Sequence, residues 1–202
     1  MNLAVVAVLF GVAGHAVEPP PVVTRSEWGA RPPVLEMRPH RPTRLTIHHS
    51  GVASNPNRGL EDKLRGLQAF SQREDRLASG RTKPAWADIP YHWYIGVDGR
   101  IGEARDPRFA GDTNTEYDPT GHLSIVLEGN FDVEEPTAAQ IRSLWRLSEY
   151  LALRHQIEPS FIAGHLDYAA TACPGKNLIG EVRKIARRVE LRRKAGGTLT
   201  AR

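Results

Sequence analysis

HLDYAATACPG, residues 165–175, holds the only cysteine of the chain: Cys173 follows His165 by eight residues, just before a Pro-Gly pair. Far upstream, TIHHSG (residues 46–51) supplies two more histidines, His48 and His49. A lone cysteine forms no internal disulfide, so its thiol is buried and inert, reactive, or bound to a metal. Two histidines and one cysteine suffice for an open Zn²⁺ site with water in the fourth position. Residues 161–164 read as a short strand that delivers His165, and the loop after it is long enough to fold Cys173 back. Adjacent strand residues point to opposite faces, so only one of His48 and His49 can face such a site.

The elements around these stretches follow from pattern. Arg44 to His49 is an apolar-rich strand that ends at Ser50-Gly51. Residues 60–77 form an amphipathic helix, with Leu60, Leu64, Leu67 and Phe70 at helical spacing. SGRTKPAWADIP is loop by composition. Residues 91–97 are aromatic and β-branched, and Asp98-Gly99 turns them into a return strand at 100–104. FAGDTNTEYDPTG is a long polar loop, and 123–127 is a further strand. The helix over 137–155 opens on Thr137, with Gln140 at the reciprocal position of a capping box. A closing helix spans 178–191. Strands and helices mix without strict alternation. The expected fold is therefore an α/β single domain, with a mixed central β-sheet flanked by helices.

The chain has 202 residues, enough for one domain with a real core and short for two. Its 40% hydrophobic and 25% charged content excludes a disordered or fibrous chain. The net charge of +4 comes largely from EVRKIARRVELRRK near the C-terminus, a local basic face. An uncharged run from Leu3 to Gly14, too short to span a bilayer, precedes Gly14-x-Ala16 and three prolines. This reads as a secretory signal peptide over 1–16, although its start carries no Lys or Arg. The expected organisation is a signal peptide at 1–16, a functional domain at 17–194 and a flexible tail at 195–202. The expected location is periplasmic or extracellular.

Five blocks stand in a fixed order: TRSEWGARPP, TIHHSG, ADIPYHWYIGVDGRIGEARD, SIVLEGNF and HLDYAATACPG. In that order they resemble the zinc-dependent N-acetylmuramoyl-L-alanine amidases of the type-2 amidase and peptidoglycan recognition protein family. The resemblance covers residues 25–191. It implies Zn²⁺ held by His48, His165 and Cys173, with His48 rather than His49 as the ligand. It implies Tyr91 beside the metal, polarising the scissile carbonyl, and Thr171 as a second hydrogen-bond donor. It implies hydrolysis of the amide between N-acetylmuramic acid and L-alanine. The expected partner is peptidoglycan, glycan strand plus stem peptide, met by a monomer with no specific nucleic acid and no transmembrane segment after signal cleavage.

Three positions depart from the family pattern. Gly111-Asp112-Thr113 stands where relatives carry a "GAHT"-like histidine. Asp106-Pro107 replaces a Gly-Trp pair, and Pro90 replaces a common Gly. Other residues have two readings each. Glu128 is a candidate base or a strand carboxylate. Asp167 is a candidate partner behind a ligand, or a loop cap. Arg105 is a candidate reader of a stem-peptide carboxylate, or a member of an ion pair. Trp28 reads as a packing anchor and His92 as structural. Two other functions remain open: a non-hydrolytic peptidoglycan-binding module, and a basic protein whose tail binds nucleic acid.

Overall fold

The computed structural model describes residues 17–77 and 80–196. In chain order it contains β1 (Arg44–His49), α1 (Leu60–Ser71), β2 (Asp75–Arg76), β3 (Thr82–Lys83), β4 (Trp93–Ile95) and β5 (Ile101–Glu103). β6 (His122–Leu127), α2 (Ala138–Arg154), β7 (Ile162–Gly164) and α3 (Ile179–Lys194) follow. Five strands form one sheet in the order β5-β4-β6-β1-β7. β1 runs parallel to β6 and β7, β4 runs parallel to β6, and β5 is antiparallel to β4. This is the mixed α/β domain that the sequence pattern predicts.

Side-chain alternation gives the sheet two different faces. Leu45 and Ile47 of β1 and Leu123, Ile125 and Leu127 of β6 are wholly buried in a core shared with α2 and α3. Each such side chain contributes about 1.5–3 kcal/mol by leaving water. The opposite face presents Thr46, His48, Ser124, Val126 and Glu128, all buried. Tyr94 and Val126 meet Leu60 and Leu64 of α1 there, over Trp28. Trp28 is the packing anchor expected, and its indole N–H donates to the Glu103 carbonyl at 2.7 Å.

Two helix ends show how local chemistry sets length. The capping box of α2 forms as predicted: Thr137 Oγ1 accepts from Gln140 N at 3.1 Å, and Gln140 Oε1 accepts from Thr137 N at 3.0 Å. α1 stops at Ser71, six residues before its apolar pattern predicts. The cause lies outside the helix. Lys83 Nζ donates to the carbonyls of Ser71, Arg73 and Pro84 at 2.7–3.0 Å, drawing the chain into the short β2–β3 hairpin. A stretch expected as loop thus contributes part of a ladder, and a buried ammonium closes it. The signal peptide over 1–16 and residues 197–202 of the tail lie outside the described residues. No helix among the described residues is long and apolar enough to cross a membrane.

His92 is fully buried and structural, as expected. Its Nδ1 accepts from Ser124 N at 2.9 Å, so Nε2 carries the proton and donates to the Phe109 carbonyl at 2.9 Å. Burial lowers its pKa from 6.5 to about 3. The unfolded chain therefore binds this proton first as the pH falls, and stability drops from pH 6.5 downward. Between pH 7 and pH 5 this one group costs the metal-free fold about 2 kcal/mol. Urea melts should show a shallower fall over that range in His92→Gln than in the parent chain.

Candidate metal centre

β1 and β7 are adjacent and parallel, so their C-terminal ends lie side by side. Open α/β sheets place ligand sites at such ends. His48 is the fifth residue of β1 and faces the α1 side with Thr46. His165 follows β7 directly, on a single turn capped by Asp167, whose carboxylate accepts from Gly164 N at 2.8 Å. The loop then folds back, with Leu166 N donating to the Cys173 carbonyl at 2.8 Å. The result is a buried cluster in which one ligand atom each from His48, His165 and Cys173 lies within 4.8 Å of the others.

The donor set fits a soft-to-borderline divalent cation. Cys173 Sγ lies 3.6 Å from His48 Nδ1. That separation matches the edge of a tetrahedron with Zn–N and Zn–S arms of about 2.0–2.3 Å. Nε2 of His48 is buried without a hydrogen-bond partner among the described residues. Burial, reinforced by His165, holds the His48 pKa well below 6.5, and burial lowers that of His165 to about 4. Both rings are thus neutral, as metal ligation requires. Burial pushes the Cys173 thiol up to about 12, opposed by the His49 N–H that donates to Sγ at 3.4 Å. Without a cation the pocket stores no charge; a cation reverses the cost of forming the thiolate.

His49 points the other way, as strand alternation demands. Its ring packs 6.2 Å from Phe131, and its Nδ1 accepts from Phe131 N at 3.2 Å. Tyr91 lies beside the cluster, its ring 5.0 Å from that of His48. Burial, then the neighbouring Cys173, raises its pKa, so the phenol keeps its proton. Its hydroxyl has no hydrogen-bond partner among the described residues. Thr171 Oγ1 accepts from Cys173 N at 3.2 Å, which leaves its own proton free to donate.

For three residues the structure shows the second of their two readings. Arg105 is 1% exposed and occupied within the fold: its guanidinium donates to the carbonyls of Ile89, Asp88 and Ala110 and pairs with Asp112. Glu128 is not a free base. It pairs with Lys63 Nζ at 2.7 Å and accepts from the backbone N–H groups of Asn55 and Val97. Asp167 caps the turn of His165 and makes no bond to a ligand side chain.

Two residues of the polar loop belong to the site without any signal in the sequence. Thr115 Oγ1 lies 2.8 Å from His165 Nε2, and the Tyr117 ring lies 5.1 Å from the His165 ring. Gly111 brings this loop in, because a Cβ there would stand 2.4 Å from the Pro90 carbonyl oxygen. Around the cluster the loop closes a cavity of about 130 Å³ lined by His48, Tyr91, Thr115 and Tyr117. Trp86, Pro90, Tyr91 and Asn114 line it together with a larger groove of about 540 Å³, which Asn55, Arg58 and Tyr94 continue.

A family model described as N-acetylmuramoyl-L-alanine amidase matches residues 38–176. Peptidoglycan-recognition protein SD of Drosophila simulans is 30% identical over 166 residues, which is 78% of this chain and 82% of that protein. The crystal structure of Drosophila peptidoglycan recognition protein SD is similar with a TM-score of 0.68 at 26% identity, covering 81% of this chain and 94% of that one. The N-acetylmuramoyl-L-alanine amidase LysC from Clostridium intestinale URNW is similar with a TM-score of 0.66 at 25% identity, covering 85% and 98%.

The Lys63–Glu128 pair supports the groove wall, with side chains only 8% and 4% exposed. Lys63→Met leaves the Glu128 carboxylate buried without its counter-charge and should cost about 3–5 kcal/mol in denaturant melts. The double variant Lys63→Met, Glu128→Gln should recover most of that loss.

Proposed function

We propose that this chain, which belongs to the N-acetylmuramoyl-L-alanine amidase family, is a zinc hydrolase that cleaves the amide between N-acetylmuramic acid and L-alanine in peptidoglycan. The observation that carries the reading is the convergence of His48, His165 and Cys173 beside the free hydroxyl of Tyr91. When bound, Zn²⁺ supplies Lewis acidity toward an amide oxygen and lowers the pKa of water to about 7.

The chain's own residues supply the rest. His48 and His165 are held neutral by burial and need shed no proton before ligation. Tyr91 keeps its phenolic proton and donates it as a hydrogen bond to the carbonyl oxygen as negative charge develops there. Thr171, whose oxygen accepts from Cys173 N, keeps its hydroxyl proton to donate to the same charge. The groove beside the cluster takes the stem peptide and sugar against Trp86, Tyr91 and Tyr94, while the polar loop limits water. No side chain in the cluster is a strong general acid, so the proton for the leaving amine returns through solvent.

In the same reading residues 1–16 are removed on export and residues 17–194 act as the amidase domain. Residues 195–202 trail as a tail, and the protein works as a monomer in the periplasm or outside the cell. A second reading, binding of the polymer without cleavage, draws on the recognition proteins among the similar chains. The complete donor set favours hydrolysis.

Mass spectrometry of soluble products after incubation with purified peptidoglycan separates the two. Amidase activity releases stem peptides with a free N-terminal L-Ala, lost on chelation and regained with zinc. Pelleting with the polymer and no released peptide establishes the binding module instead. Tyr91→Phe should lower turnover about 10²–10³-fold while zinc content is unchanged.

A further inference from the structure

The polar loop that carries Thr115 is pinned at three points. Arg105 pairs with Asp112, Arg81 donates to the Asn114 carbonyl at 3.0 Å, and Arg38 pairs with Asp118 at 2.8 Å. Between these pins the hydroxyls of Thr113 and Thr115 lie 2.8 Å apart, and Thr113 Oγ1 also accepts from Thr115 N at 3.0 Å. Thr115 Oγ1 then meets His165 Nε2 at 2.8 Å. The chain places a hydroxyl, on a braced loop, against Nε2 of a proposed metal ligand.

We propose that Thr115 is a positioning residue: it fixes the tautomer and orientation of His165 so that Nδ1 offers its lone pair to the metal. This rests on the zinc reading above. The argument is a count of protons. A neutral imidazole has one N–H and one lone pair, so a ring that gives Nδ1 to a metal carries its proton on Nε2. That N–H donates to Thr115 Oγ1. The Thr115 hydroxyl proton then goes to Thr113 Oγ1, which has a second lone pair for Thr115 N. In this direction the Nε2 N–H and the Thr115 hydroxyl each have an acceptor, and it is the direction that ligation through Nδ1 requires. In the reverse direction Thr115 donates to Nε2 and the proton sits on Nδ1, which blocks it.

The partner behind a metal-bound histidine is usually a carboxylate, a backbone carbonyl or water, and its loss weakens metal binding. A hydroxyl adds no charge, so Thr115 acts by orientation rather than by raising basicity. The Tyr117 ring packed on the imidazole opposes rotation from one side, and the His48 ring lies 4.7 Å away. Arg105 enters this arrangement indirectly, by holding Asp112 and with it the start of the loop.

Zinc affinity of the metal-free full chain, measured by competition with a chromophoric chelator, tests the assignment. Thr115→Val keeps the shape and removes the hydroxyl; it should bind zinc about 10- to 100-fold more weakly. Thr115→Ser should restore the affinity, with the thermal midpoints of all metal-free forms unchanged. Parental affinity in Thr115→Val overturns the proposal. If Thr115→Val lowers the metal-free midpoint, the comparison of Thr115→Ser with Thr115→Ala decides, and equal zinc affinity in those two overturns it. A parent chain that binds no zinc overturns the zinc reading and this assignment together.

Discussion

A strand can aim only every second side chain at one face, and the site depends on that parity at the end of β1. Leu45, Ile47 and His49 are committed to the side of α2 and α3, where the first two are wholly buried. Thr46 and His48 are left for the other side. A slip of one residue against β6 and β7 would bury His48 in apolar packing and turn Leu45 and Ile47 toward the groove. The core thus selects which histidine meets Cys173. β7, parallel and adjacent, brings His165 to the same end of the sheet, so one register positions two of the three donors.

Much of this was legible in the sequence, and the rest was hidden for physical reasons. β1 and the capped start of α2 follow from alternation and from Thr137 with Gln140, which act over a few residues. A His/His/Cys donor set is legible because few residue types ligate zinc, while the choice of His48 over His49 rests on the family resemblance. Arg105 and Glu128 keep two readings each in the sequence because charge alone does not reveal burial. Arg105 spends its donors on Asp88, Ile89, Ala110 and Asp112. Glu128 is neutralised by Lys63, 65 residues away in sequence. Thr115 was missed because a hydroxyl in a polar loop looks like any other until the fold brings His165 to it. The early end of α1 was missed for the same reason, since Lys83 acts from beyond the helix.

Several buried polar groups on the α1 side of the sheet are fully partnered. His92 has both ring nitrogens bonded, the Lys83 ammonium has three carbonyls, and Glu128 has a cation and two N–H groups. His48 Nε2 and the Tyr91 hydroxyl have no hydrogen-bond partner among the described residues, and neither has Ser71 Oγ of α1. Of these residues, His48 and Tyr91 line the cavity at the cluster. The surrounding closure also gives rigidity: Trp28, Trp86 and Pro90 sit in a frame braced from several elements, so the groove is preformed rather than assembled around a ligand.

α3 packs on the back of the sheet, away from His48. It holds seven Lys or Arg residues and two Glu, a charge of +5 against +4 for the entire chain, which leaves −1 for everything else. The molecule is therefore uneven in charge, with its positive excess on the helix behind the sheet. In the field of an extended polyanion it orients before it touches, drawn by the helix rather than by the groove. At physiological ionic strength that pull reaches about 8 Å, so orientation belongs to the last steps of approach. The positive excess and the candidate site thus lie on opposite faces of one sheet, and salt screens the first without entering the second.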